Sequence, residues 1–287
     1  MKNPLISIIT ACFNSESTIR DTIESVLNQT YNNIEYIIID GDSTDETVSI
    51  IKSYESNFKE KGIVYKWISE QDKGIYDAFN KGLRILNGEW VVFIGSDDYF
   101  KNNKLIKEIL PILKQSEMQK RYYIYGKIEH VSMNNELIEV AGKPWPLQKK
   151  RFTYTMNIGH SGCFHHINLF RKHGKFNETF KIAGDYEFLL REYKDGSNNA
   201  IFIDKSFIVM REGGISGSLG NRMALIRENY KARKLNGITT FSKELFFWEL
   251  RVRGLIFIRG IFGENFAAKL ADLYRKLCLG KKKRWSK

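Results

Sequence analysis

Cysteine is scarce in this chain, and what there is does not cluster. Cys12, Cys163 and Cys278 are odd in number and far apart. They make no metal-ligand spacing, and a reducing, cytosolic setting fits them best. Long apolar runs are lacking too. No stretch approaches roughly eighteen uninterrupted apolar residues, so no membrane span is expected. The opening run Leu5 to Cys12 lacks a cleavage-type ending, so no signal peptide is expected. A repeat of the solenoid kind is absent. So is a Gly-rich phosphate loop ending in Lys, which argues against a nucleotidyltransferase of the usual kind. Finally, the body has no charge excess. The chain carries +12, but residues 231 to 287 hold 15 Lys and Arg against 4 Asp and Glu, a net of +11 that leaves residues 1 to 230 near +1. A nucleic-acid reader spreads basic residues and stacking aromatics over its working face. A nearly neutral body excludes nucleic acid as the expected partner.

What is present reads as an α/β body. With 287 residues, 43% apolar and 27% charged, the chain can bury a large core. Leu5 to Cys12 reads as a strand, and Ser17 to Gln29 carries Ile19, Ile23, Val26 and Leu27 at helical spacing. A second strand ends at Asp40, and a helix is expected from the turn Gly41 to Asp45 on to Asn57. Strands at Ile63 to Ser69 and Trp90 to Ile94 flank a helix over Gly74 to Leu86, and a further helix covers Lys104 to Gln115. Such a βαβ series makes a parallel sheet. After Arg121 the pattern changes to strands at Tyr122 to Val131 and Glu136 to Ala141, expected to be antiparallel, and a break at Pro144-Trp145-Pro146. The Gly-rich loop Asn157 to Gly162 precedes helices at Ile167 to His173 and Asp185 to Lys194. Then come a strand over Ala200 to Met210, a flexible loop at Gly213 to Gly217, and helices from Ser218 onward.

Acids punctuate this pattern. Asp40 closes the second strand, Asp72 follows the third, Asp97-Asp98 follows the fourth, and Asp185 opens a late helix. Ligands of parallel sheets bind outside the carboxyl ends of the strands. A rim of carboxylates there is costly unless something positive joins it, and a divalent cation carrying a nucleotide diphosphate is the natural candidate. Each constellation also has a plainer reading. Asp40 to Asp45 serves as a turn and helix cap, yet a carboxylate at a strand's last position can accept from a base N–H or a ribose hydroxyl. Gly74 lets backbone N–H groups approach a phosphate, Lys73 can neutralise one, and Asp77 and Asn80 share a helix face. The alternative there is a solvated helix start. Asp97 and Asp98 repel each other unless a hard cation intervenes, or else they form an Asp-rich turn. Asp185 is an N-cap or the base for an attacking hydroxyl. His160 is structural or a ligand, and Arg211 with the glycines after it can close over phosphates.

Together, Ile8-Ile9-Thr10-Ala11-Cys12-Phe13-Asn14, Asp40-Gly41-Asp42-Ser43-Thr44-Asp45, Asp72-Lys73-Gly74-Ile75-Tyr76-Asp77-Ala78-Phe79-Asn80-Lys81-Gly82, Gly95-Ser96-Asp97-Asp98 and Gly184-Asp185-Tyr186-Glu187 resemble an inverting, nucleotide-sugar-dependent glycosyltransferase of family two. The resemblance covers about residues 4 to 215 and is to the bacterial branch that builds capsule, O-antigen or exopolysaccharide. It implies the GT-A fold, an α/β architecture with a mixed, mainly parallel sheet flanked by helices. That domain would span 1–217, with a nucleotide-sugar half at 1–120 and an acceptor half at 121–217. By position, Thr10, Ala11 and Phe13 would line the base pocket with Asn14 beside them. Asp40 would hold the base and Asp72 the nucleoside side, with Lys73, Gly74, Asp77 and Asn80 along the donor. Ser96-Asp97-Asp98 stands at the family's DXD motif, with Asp98 the stronger metal ligand, Asp97 beside it and His160 a further candidate. Asp185 matches the catalytic base. The implied cofactor is Mn2+ or Mg2+, the implied donor a UDP-sugar, and the acceptor a hydroxyl of a glycan or polyprenyl-linked sugar. Two alternatives remain, direct transfer to polyprenyl phosphate and a catalytically silent scaffold in an assembly complex.

The basic extension at 218–287 is read separately. Phe241 to Phe266 mixes aromatic and aliphatic residues with Arg251, Arg253 and Arg259, and Lys281-Lys282-Lys283-Arg284-Trp285 follows. Basic amphipathic helices of this kind lie on anionic membranes. Peripheral attachment to the inner face of the cell membrane is the expectation. The alternative is a helix packed on the body with a solvated tail.

Overall fold

The structure is a computed structural model that describes residues 3–194, 200–212 and 219–279. The short apolar runs form β1 (Ile6–Cys12), β2 (Ile34–Asp40), β3 (Val64–Ser69) and β4 (Trp90–Gly95), all mutually parallel. Between them lie α1 (Ile19–Leu27), α2 (Thr47–Ser53), α3 (Glu55–Glu60) and α4 (Ile75–Ile85). The strands are apolar on both faces because both faces are covered. Side chains alternate along each strand, so Ile8, Tyr36, Ile38 and Val92 pack beneath α1, while Ile9, Ile37, Ile39 and Phe93 pack beneath α4. Each is buried, and each such aliphatic or Phe side chain contributes roughly 1.5–3 kcal/mol.

The second half completes the sheet with mixed pairing. It comprises β5 (Asp98–Phe100), α5 (Leu105–Met118), β6 (Tyr123–Val131), β7 (Leu137–Ala141), α6 (Trp145–Phe152), β8 (Phe164–His166), α7 (Ile167–His173), α8 (Gly184–Tyr193) and β9 (Ile201–Arg211). The strand order is β3-β2-β1-β4-β8-β6-β9-β5, with β7 paired to β6. β8 runs antiparallel to both β4 and β6, and so joins the two halves. Sequence periodicity misses β5 and β8 because three residues are too few to carry a pattern. β6 and β7 are antiparallel, as their spacing predicts. The helix expected to reach Asn57 is divided at Tyr54 into α2 and α3. Pro144-Trp145-Pro146 does not merely break the chain but starts α6. Proline suits the first helical turn, where its missing N–H would have no partner anyway.

Three helices follow: α9 (Leu219–Leu235), α10 (Lys243–Phe262) and α11 (Glu264–Leu279). α9 is fastened to the body rather than standing apart from it. Asn229 donates to Thr155 Oγ1 at 3.3 Å, Arg233 to the Thr153 carbonyl at 3.0 Å and Lys231 to Thr179 Oγ1 at 2.8 Å. α9 thus packs on the body across the expected boundary at residue 217. α10 buries Leu245 and Val252 against Ile226 of α9, and Gly263 turns the chain at a φ of 82°. The loop Gly213 to Gly217 and the run Lys281 to Trp285 lie outside the described residues. Among the described residues, no helix is long and apolar enough to cross a membrane.

Candidate active site

Parallel register brings the carboxyl ends of the first four strands to one rim. Cys12 lies opposite Asp40, Asp40 opposite Ser69, and Ala11 opposite Gly95. The loops leaving these ends carry most of the residues singled out in the sequence. Phe13 stands 60% exposed at the end of β1, an unusual position for a phenyl ring. Beside it, Gly41 is packed so closely that a Cβ would sit 2.6 Å from Asp72 Oδ2 and 3.5 Å from the Phe13 ring. A side chain at this position would push the Asp72 carboxylate away. An open groove of about 720 Å³ runs on from Asp72 past Glu70, Gln71, Lys73, Asp77 and Lys81.

Several expected donor contacts are already committed within the protein. Thr10 is fully buried, and its hydroxyl accepts from Tyr36 at 3.1 Å, so its side chain does not line the rim. Ala11 packs partly buried against the core. Asn14 clips the next loop, its Oδ1 accepting from Thr44 N at 2.9 Å. Asp40 is wholly buried and accepts from Ser43 N at 3.0 Å, Ser69 Oγ at 2.7 Å and Ser43 Oγ. The start of α4 is capped by its own carboxylates. Asp77 takes the Lys73 N–H at 3.0 Å and Asp72 takes the Gly74 N–H at 2.7 Å. Those amides are therefore not free for a phosphate. Asn80, one turn on from Asp77, is spent inside the protein. It is fully buried and bonds Phe176 N and the Phe176 carbonyl, each at 3.0 Å.

The Ser96-Asp97-Asp98 turn is different. Ser96 Oγ meets Ser15 Oγ at 2.8 Å, tying the turn to the loop after β1. Asp98 is 4% exposed, and its Oδ2 accepts from Ser161 Oγ at 2.6 Å. Its Oδ1 is buried with no donor among the described residues. Burial, followed by the charge of Asp97, pushes the Asp98 carboxyl up to about 7. Burial also raises Asp97. An orphaned oxygen on one of two crowded carboxylates fits a hard cation, which takes oxygen ligands and retains water and substrate oxygens. Arg211 is buried beside them, donates to the Asp97 carbonyl at 3.3 Å and pairs with Asp21. It is thus anchored rather than poised over a ligand. His160 is not part of this turn. It stacks on Phe93 at 5.3 Å among Phe79, Phe176 and His165, and burial lowers it to about 3. Among the described residues no group of three His, Cys, Asp or Glu side chains is gathered to hold a metal.

Asp185 enters from α8. Its Oδ1 takes the Tyr186 N–H at 2.8 Å and the Tyr76 hydroxyl at 3.2 Å. Its Oδ2 takes no hydrogen bond from another described residue. Burial raises the carboxyl to about 6, against which the two hydrogen bonds pull down. Tyr76 begins α4, just after the loop leaving β3, so its contact brings Asp185 to the same end of the sheet as the aspartates. Sequence reasoning missed the supporting residues. Ser161 had one signal, its place beside His160 in the Gly-rich loop. Tyr76 lies within the Asp72 to Gly82 segment, where an aromatic residue reads as core.

Comparison with known proteins places the chain in a family. A family model described as glycosyl transferase family 2 matches residues 7–174. The chain belongs to that family. This glycosyltransferase is 27% identical over 221 residues to the PGL/p-HBAD biosynthesis glycosyltransferase of Mycobacterium bovis, covering 77% of this chain and 81% of the relative. Its fold is GT-A. It is similar to Staphylococcus aureus TarS 1–349 in complex with UDP-GlcNAc at a TM-score of 0.60 and 18% identity, covering 95% of this chain and 73% of that one. Against a longer TarS chain the coverage is 44% of that chain. It is also similar to the mannosyltransferase PcManGT of Pyrobaculum calidifontis in complex with GDP-Man and Mn2+, at a TM-score of 0.61 and 14% identity, covering 97% and 81%. The family match ends before Asp185, whose link to the rest of the candidate site is its contact with Tyr76.

Proposed function

We propose that this glycosyltransferase moves a sugar from a UDP-sugar to a hydroxyl of a glycan or polyprenyl-linked acceptor, with inversion, in surface polysaccharide synthesis. The observation that carries the reading is a pair of carboxylates at one end of the sheet with different surroundings, Asp98 buried and Asp185 half-buried. Among the described residues, Asp98 Oδ1 has no donor, and Asp185 has a raised pKa with only Oδ1 taking hydrogen bonds from other residues. A divalent cation, Mn2+ or Mg2+, held by Asp98 with Asp97 beside it, would offset charge on a departing diphosphate. Phe13, with Asp72 against Gly41, offers a ring for a nucleobase and an acceptor for ribose hydroxyls. Asp185, at about 6, is ionised at neutral pH yet basic enough to take the proton of an acceptor hydroxyl. That oxygen bonds to the anomeric carbon while the carbon–oxygen bond to the diphosphate breaks, and the diphosphate leaves with the electron pair. Attack from the face opposite the leaving group inverts the centre. The relatives' complexes with UDP-GlcNAc, and with GDP-Man and Mn2+, support the donor class and the cation.

A thermal-shift screen of UDP-, GDP- and dTDP-sugars with Mn2+ tests the donor. Binding raises stability as RT ln(1 + [L]/Kd), about 2.7 kcal/mol at a hundredfold excess over Kd. No shift with any UDP-sugar refutes the donor assignment.

We also propose that α10 and α11 rest on an anionic membrane. Phe247, Leu250, Phe257 and Ile261 of α10 and Phe266, Leu273 and Leu277 of α11 are each at least 48% exposed. On α11 they recur at helical spacing, an exposed apolar stripe. The chain's basic excess lies in the same region, which favours a surface of anionic lipid. Sedimentation with vesicles of phosphatidylglycerol and phosphatidylcholine checks this. Full-length protein should pellet, and a Phe257→Asp, Leu273→Asp variant should not. Equal pelleting, or self-association instead of lipid binding, refutes it.

A further inference from the structure

We infer that Glu228 of α9 is a positioning residue for Asp185, acting through the turn that precedes α8. The inference rests on Asp185 being the base. The Glu228 carboxylate receives three successive backbone N–H groups. Oε1 takes Lys181 N at 2.8 Å, and Oε2 takes Ile182 N at 2.9 Å and Ala183 N at 2.7 Å. Consecutive amides converging on one anion make a nest, here filled by a side chain of the protein itself. Ala183 is the N-cap of α8, and its carbonyl accepts from Glu187 N at 3.0 Å. The carboxylate therefore sets where α8 starts and how its first turn points. Asp185 is the second residue of that helix.

The opposite side of the turn is gripped by α4. Tyr76 donates to the Ile182 carbonyl at 2.8 Å and reaches Asp185 Oδ1 at 3.2 Å. Lys181 Nζ donates to the Lys73 carbonyl. Gly184 closes the gap, since a Cβ there would fall 2.7 Å from the Tyr76 ring. The segment bearing Asp185 is thus clamped between the helix that follows the donor loop and a helix beyond the family match. Small misplacement of a reacting group costs rate far more than it costs binding. Glu228 therefore governs turnover, while the donor-side residues Phe13, Asp72 and Asp98 are left in place.

The test uses full-length Glu228→Gln and Glu228→Ala. UDP release from UDP-glucose and UDP-N-acetylglucosamine, with Mn2+ and water as acceptor, gives turnover. Calorimetry gives UDP affinity, and amide hydrogen exchange reports the turn. The glutamine keeps one accepting oxygen but turns an NH2 toward the amides. Turnover should fall about tenfold in Glu228→Gln and about a hundredfold in Glu228→Ala. UDP affinity should stay within about twofold, and exchange should quicken at Lys181, Ile182 and Ala183. Unchanged turnover, unchanged exchange at those amides, or UDP affinity falling in step with turnover overturns the inference. If Glu228→Ala does not fold, Glu228→Gln carries the test. If the wild type releases UDP from no donor, the sugar-transfer reading fails, and the exchange result still decides whether Glu228 holds the turn.

Discussion

Replacing Asp185 with Asn should move activity and stability in opposite directions. The amide is nearly isosteric, and its carbonyl oxygen can still accept from Tyr186 N and the Tyr76 hydroxyl. The base is lost, which removes about 10² to 10⁴ in rate, or about 3–5 kcal/mol of barrier lowering. The stability effect follows from the raised carboxyl. Burial lifts it from 3.8 to about 6, so the folded state holds the ionised form at a cost of about 3 kcal/mol. That cost is absent below about pH 4, grows as pH rises through the folded value and is complete above about pH 6. Asparagine does not ionise and escapes it. At pH 7.5 the variant should therefore be more stable by up to about 3 kcal/mol, a Tm rise of roughly 6 °C at this size, with no gain at pH 4. UDP release and melting curves at the two pH values measure both effects. Turnover within about threefold of wild type removes Asp185 from the chemistry, and a Tm gain that does not depend on pH refutes the electrostatic reasoning. In the wild type, kcat/KM should fall below pH 6, as the carboxyl protonates near its value of about 6.

Phe13→Ala should weaken UDP binding by about 1–3 kcal/mol through lost base stacking. It should leave the Tm unchanged because the ring is 60% exposed; a lower Tm with intact UDP affinity, by calorimetry, refutes the role. Ser161→Ala removes the hydroxyl that donates to Asp98 Oδ2 and that lowers the carboxyl from an even higher value. Mn2+ affinity at pH 7 should fall several-fold, because more of the carboxyl is protonated, and should recover as pH rises; titration calorimetry at pH 7 and 8.5 measures this. Gly82→Ala would bring a Cβ within 2.7 Å of Ile9 Cγ2 in the core, so urea unfolding should show a loss of about 1–3 kcal/mol.

Much of this molecule is written locally. Two-faced apolar strands must be buried on both sides, so Ile34 to Asp40 and Trp90 to Ile94 announce a covered parallel sheet without any partner being known. Topology then requires Asp40, Asp72 and Asp98 to share one end. Charge counting likewise located the basic excess. What residue types alone left open is which polar side chains face the ligand. Thr10, Asn14 and Asn80 look like donor contacts in a motif, yet each is spent on an internal partner. Such assignments depend on pairings across the chain that no local spacing encodes. Ser161 reaches Asp98 across 63 residues, Tyr76 reaches Asp185 across 109, and Glu228 reaches the turn before α8 across 45. Hydropathy and turn chemistry act within a few residues and so determined the longer strands, the helices and the carboxylate rim. The protonation of Asp98 and Asp185 was decided only by tertiary structure, because a pKa depends on how much water and which donors the fold leaves around each oxygen.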